Sequence, residues 1–168
     1  MRPPAFAPQL KRDPLGGATA HSESGLSMTP KEEVEVLMNE GIKFARQMLG
    51  EHGEFLPFGN ALRPNGKIVD VGASDGTEHP RSKALIDLLI DGFRQAALEG
   101  EYVAIAVFFD VRVSRPSDGE KVDAVQVGLE HKSGYCADVF FPYTLAQGRL
   151  DFGEIFAQAR DAVVFSPP

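Results

Sequence analysis

Between Tyr102 and Val113 apolar side chains fall on every second position: Val103, Ile105, Val107, Phe109, Val111 and Val113. A two-residue period belongs to an extended strand and sends all six to one face. The other face begins with Ala104, Ala106 and Phe108 and ends with Asp110 and Arg112. The run therefore predicts a strand that lies inside a sheet, apolar on both sides at its start. Pro116 and Asp118-Gly119 fix φ or accept positive φ, so the chain is expected to reverse there. Lys121 to His131 alternates more weakly, and Ser133-Gly134 supplies the next reversal. Tyr135 to Tyr143 then returns with Tyr135, Ala137, Val139 and Phe141 on one side. Pro142 lacks an N–H for the ladder, which predicts a strand end or a sheet edge. Arg112 is expected to face Asp123 across the first turn as a cross-strand ion pair.

The period changes upstream. Thr29, Pro30 and Glu32 form a capping-box signature, with proline at the first helical position. Val34, Leu37, Met38, Ala45, Met48 and Leu49 recur at helical spacing, predicting one buried stripe, with Gly50 and Gly53 as the stop. Glu33, Glu40, Lys43 and Arg46 form the solvated face. From Glu54 the chain enters a predicted hairpin: a first strand ending at Asn60-Ala61-Leu62, a turn at Arg63-Pro64-Asn65-Gly66, and a second strand over Lys67 to Gly72. A second helix is predicted over Arg81 to Glu99, with Leu85, Ile86, Leu89, Ile90 and Phe93 on its apolar side and Gly100 beyond it.

The element order is thus αββαβββ. It predicts an α+β fold: an antiparallel sheet of about five strands with two helices on one face. In element order this resembles the profilin-like and roadblock-type arrangements. The stretch Glu51-His52-Gly53-Glu54-Phe55-Leu56-Pro57-Phe58-Gly59, with Phe141-Pro142-Tyr143, resembles small bacterial α+β proteins over roughly Met28 to Leu145. Fold analogy implies no activity. After Tyr143, the residues Phe152, Ile155, Phe156 and Phe165 are apolar enough to dock, while Gly148, Gly153, Pro167 and Pro168 break any long element.

Residues 1–28 lack periodicity and hold Pro3, Pro4, Pro8, Pro14, Gly16 and Gly17, the composition of a disordered tail. A single α+β domain is expected over residues 29–168, with the folded protein beginning at Met28. Arg2, Lys11 and Arg12 against Asp13 and Glu23 give the tail +1, so the rest carries −8 of the total −7. That balance, with Lys and Arg scattered, argues against a nucleic-acid surface. One cysteine excludes an internal disulfide and fits a reducing, cytoplasmic setting. No apolar run approaches the ~20 residues of a membrane helix.

Few residues carry chemistry. Cys136 and His131 straddle the Ser133-Gly134 turn, and a two-residue hairpin would set them opposite one another, with Asp138 farther along the face of Cys136. Thiolate, imidazole and carboxylate are the parts of nucleophilic catalysis, but Glu130 and Asp138 surround this thiol with negative charge instead of the electropositive setting that activates one. His21, His52, His79 and His131 lack paired-ligand spacing, and a composite of His52, His79 and Asp75, whose histidines flank the hairpin, is a geometric option for a metal. Asp75-Gly76-Thr77 reads as a turn and not a calcium loop. Val71-Gly72-Ala73-Ser74-Asp75-Gly76 lacks the glycines and lysine of a phosphate cradle. No catalytic, cofactor or metal site is therefore assigned.

The leading expectation is a non-enzymatic protein-interaction or regulatory module, in which an immunity-type acidic face would cover a basic partner. Two helices on one face would leave an apolar sheet face open, which predicts self-association, a homodimer through that face or an edge strand. A second expectation is a small-ligand sensor with a pocket lined by Phe55, Phe58 and Tyr143. The third is a hydrolase using Cys136 and His131.

Overall fold

The computed structural model describes residues 28–165, and most of the predicted tail, with His21, lies outside the described residues. Helix α1 (Pro30–His52) starts at the capping box: Thr29 Oγ1 accepts from the Glu32 N–H at 3.1 Å, and Glu32 Oε1 accepts from the Thr29 N–H at 2.9 Å. Two donors that the first helical turn would orphan are thereby satisfied. Gly50 stays helical. Gly53, at φ 76°, forms the left-handed cap and donates to the Leu49 carbonyl at 2.9 Å. Helix α2 (Ser82–Leu98) begins after Arg81 without a side-chain cap.

Among the described residues seven strands form one open antiparallel sheet, two more than the pattern predicted. They are β1 (Phe58–Leu62), β2 (Ile68–Val71), β3 (Ala104–Ser114), β4 (Lys121–His131), β5 (Cys136–Ala146), β6 (Arg149–Phe152) and β7 (Phe156–Ala159). The order is β2-β1-β3-β4-β5-β6, and β7 also pairs with β5. β6 takes Tyr143 to Ala146 of β5, and β7 takes Ala137 to Phe140 along the same edge. The difficult residues after Tyr143 thus become two short strands end to end.

Pro142 marks the seam between them. It lies within β5, opposite Ala124, and pairs with neither β6 nor β7. Its carbonyl accepts from the Gly153 N–H at 2.8 Å, on the side where β6 gives way to β7. A strand residue aims its N and O at the same edge. The donor that proline lacks would therefore point into this gap, so a proline is tolerated here.

The two helices cover opposite faces, which corrects the expectation of both on one. α1 packs Val34, Leu37, Ala45 and Leu49 against Ala104, Ala106 and Phe108 of β3. α2 packs Leu89 and Phe93 against Ile105 and Val107. Adjacent residues of a strand point to opposite sides, so a β3 that is apolar at both parities needs cover on both. On the α1 side Phe108 stacks on Phe58 with ring centroids 4.7 Å apart, and its ring end faces Gly41. A Cβ at Gly41 would collide with the end of that ring, so the helix approaches the sheet this closely because the side chain is absent.

Beyond the Asp110–Val125 pair the β3–β4 hairpin runs past both cores. Arg112 and Asp123 are paired in register and ion-paired at 3.1 Å, as expected. Asp110, Arg112, Lys121 and Asp123 are on the α1 side of this arm and are exposed. Val111, Val113 and Val122 lie on the α2 side, half-buried, and pack into neither core. The arm is amphipathic, and among the described residues its three valines pack into neither the α1-side nor the α2-side core.

Candidate functional site

Cys136 and His131 part company in the register. The His131 N–H donates to the Tyr135 carbonyl at 2.8 Å and Gly134 donates back to His131 at 2.9 Å, so the turn holds three residues. Cys136 consequently pairs with Glu130. One residue of register separates the two sheet faces: the His131 ring sits against α1 and the Cys136 thiol on the α2 side. His131 Nδ1 accepts from the Ser133 N–H at 3.0 Å, which leaves Nε2 to donate to Glu33 Oε1 at 2.8 Å. The thiol donates to the Arg160 carbonyl at 3.0 Å, and burial together with Glu130 pushes its pKa up. A thiol held protonated and far from an imidazole is a poor nucleophile.

Phe55, Phe58 and Tyr143 do share a face, but as packing. Phe55 and Tyr143 are buried in the α1-side core, and Phe58 lies between Phe55 and Phe108. The residues proposed to line a pocket fill one another's space. The Tyr143 hydroxyl donates to Asp110 Oδ1 at 2.8 Å. Although Asp110 as a residue is exposed, desolvation of its carboxyl beside the buried Tyr143 raises it above its ordinary value despite this bond, and Tyr143 is raised in turn by burial and by Asp110. A carboxyl with a raised folded-state pKa contributes stability that is complete below its ordinary range and is lost as pH rises through the folded value. Asp110→Asn, which keeps an acceptor for Tyr143, is expected to raise the melting temperature at pH 7 and to give no gain at pH 3. Thermal melts at the two pH values check this, and a fall at pH 7 would contradict it.

His52 lies 3.8 Å from Glu51, while Asp75 accepts from both the N–H and the hydroxyl of Thr77 in a turn. Among the described residues no group of three His, Cys, Asp or Glu is placed to hold a metal ion.

The densest polar assembly is one the sequence concealed. Glu130, fully buried on β4, accepts from the backbone N–H groups of Val163 at 2.9 Å, Val164 at 2.8 Å and Phe165 at 3.2 Å. Arg160 Nη2 completes the set at 2.8 Å. Both carboxylate oxygens thus have two donors each, which is what a buried charge needs. Arg160 also reaches Asp138 at 3.4 Å, and a Cβ on Gly128 would collide with its Nη1. Gly128 therefore leaves the space in which the guanidinium lies. Arg94 Nε, from α2, donates to the Val163 carbonyl at 2.6 Å. Residues 160–165 form a strap, tied to the sheet and to α2.

A groove of about 220 Å3 opens between α2, the sheet and this strap. Ile86, Ile90, Val107 and Phe109 make its apolar walls. Gln126, Asp138, Arg160 and Asp161 supply its polar side. It lies on the opposite side of the sheet from Phe55, Phe58 and Tyr143. Ile86 and Ile90 were legible as a helix stripe, but nothing local to Arg160 or Asp161 announces that they meet it. The chain matches no protein-family model, no curated protein and no solved structure. No helix among the described residues is long and apolar enough to cross a membrane.

Proposed function

We propose that the protein works by binding and not by bond chemistry, as a non-enzymatic interaction or regulatory module. The observation that carries this is the amphipathic β3–β4 arm, whose Val111, Val113 and Val122 lie outside both cores. These valines are partly exposed, and an apolar strip that neither core covers is where a partner's side chains would complete the burial. The partner proposed first is a second copy. The strip is uncharged, whereas Asp110, Arg112 and Asp123 point to the other side, so two copies can join face to face with no carboxylate at the centre. Light scattering is expected to show a dimer forming at high micromolar concentration, with Val111→Glu monomeric at an unchanged melting temperature. A clean monomer for the unmodified chain at that concentration would refute the self-association.

A second reading, the small-ligand sensor, is favoured by the groove beside α2. Its lining replaces Phe55, Phe58 and Tyr143, and it combines apolar walls with a few convergent polar groups, the usual make-up of a ligand site. The hydrolase reading has no such support, since its thiol and imidazole are on opposite faces.

A further inference from the structure

We infer that the groove between α2 and the 160–165 strap takes a small primary amine carrying an apolar tail. The inference rests on the sensor reading and adds the chemistry of the ligand. At about 220 Å3 the space suits one short chain or a single ring. Ile86 and Ile90 from α2, with Val107 and Phe109 from β3, offer that chain an apolar bed.

The polar side selects the sign of the head group. Arg160 commits its Nη2 to Glu130 at 2.8 Å, and Glu130 is saturated by the strap amides. Asp138 holds Arg160 only at 3.4 Å, and Asp161 meets Arg160 Nε through its backbone carbonyl, leaving an exposed carboxylate. Two carboxylates, those of Glu130 and Asp138, thus pair with the one guanidinium, and the exposed Asp161 adds a third acidic residue to the same groove. An incoming anion would face two of them at the mouth, and a cation would relieve the imbalance. The Gln126 side chain has no hydrogen bond to the described residues. An ammonium brings three donors, and Asp138, Asp161 and the Gln126 carbonyl oxygen offer three acceptors around the same space.

The test uses the full chain and three probes of one length: n-hexylamine, hexanol and hexanoate at pH 7. Methyl NMR of Ile86 and Ile90 reports occupancy. Hexylamine is expected to give saturable shifts, with affinity about tenfold above either analogue, the size of one charge-assisted contact in a partly exposed site. Asp138→Asn and, separately, Asp161→Asn are expected to remove that preference, the latter at an unchanged melting temperature. The second variant guards against disturbance of Arg160 by the first. Ile90→Trp is expected to block all binding. Equal binding of the three probes, or tighter hexanoate, would overturn the amine inference while leaving the groove a ligand site. No saturable shift from any probe would overturn both the inference and the sensor reading.

Discussion

Glu130→Ala is expected to destabilise the protein by about 3–5 kcal/mol, the range for removing one partner from a buried charge pair. The loss exceeds that of an ordinary salt bridge because the carboxylate serves four donors at once. Its removal strands the N–H groups of Val163, Val164 and Phe165 and leaves Arg160 without its closest partner. Unmade hydrogen bonds in a buried site cost more than made ones contribute. Denaturant unfolding measures the total. Amide exchange identifies the place: protection of residues 163–165 should fall first, while that of the β3–β4 ladder falls only with global stability. Glu130→Gln, which keeps one acceptor oxygen, should lose less. An Ala variant within experimental error of the parent would mean that the strap is not held by this carboxylate.

Phe108→Ala is expected to cost a comparable amount, about 3–5 kcal/mol, through lost transfer energy and the cavity left between α1 and the sheet. The ring is fully buried, stacked on Phe58, and closed over by Gly41. Its neighbour gives the sharper test. In an open helix interior Gly→Ala gains up to about 1 kcal/mol. At Gly41 the new methyl meets the Phe108 ring, and overpacking of this kind costs about 1–3 kcal/mol, so Gly41→Ala should destabilise. In the Phe108→Ala background the obstacle is gone and the sign should reverse. A double-mutant cycle by denaturant unfolding reads this coupling directly. Additive effects would show that helix and ring are not in the close contact described.

Most of what was read along the chain concerned local order, and there the outcome was close. The capping box at Thr29 forms, Lys121 to His131 is the observed β4 to the residue, and Arg112 meets Asp123. Each depends on neighbours in sequence or on a period of two or 3.6. The errors fell where a distant partner decides. Pro142 predicts a strand end or a sheet edge, and it lies inside β5, at a gap that exists only because β6 and β7 divide one edge of that strand. Cys136 and His131 were set opposite one another on the assumption of a two-residue turn, and a single additional residue placed them on different faces. Phe55, Phe58 and Tyr143 suggest pocket walls in the sequence and fill the α1-side core in the fold, because aromatic residues near a hairpin look alike along the chain whether they enclose a space or fill it.

Periodicity alone establishes that this is an α+β chain with a three-stranded meander, a well-capped first helix and a central strand apolar on both sides. It contains no information on which helix covers which side of that strand, because alternation reports that two faces are apolar and not what lies above either one. The same limit hid the candidate site. Glu130 and Val164 are 34 residues apart, and the strap that joins them encloses the groove only once β5, β6 and β7 have brought residues 160–165 back across the sheet. Hydrogen-bond partners and cavities are properties of chain closure in three dimensions, and a one-dimensional pattern of polar and apolar positions cannot encode them separately from the fold.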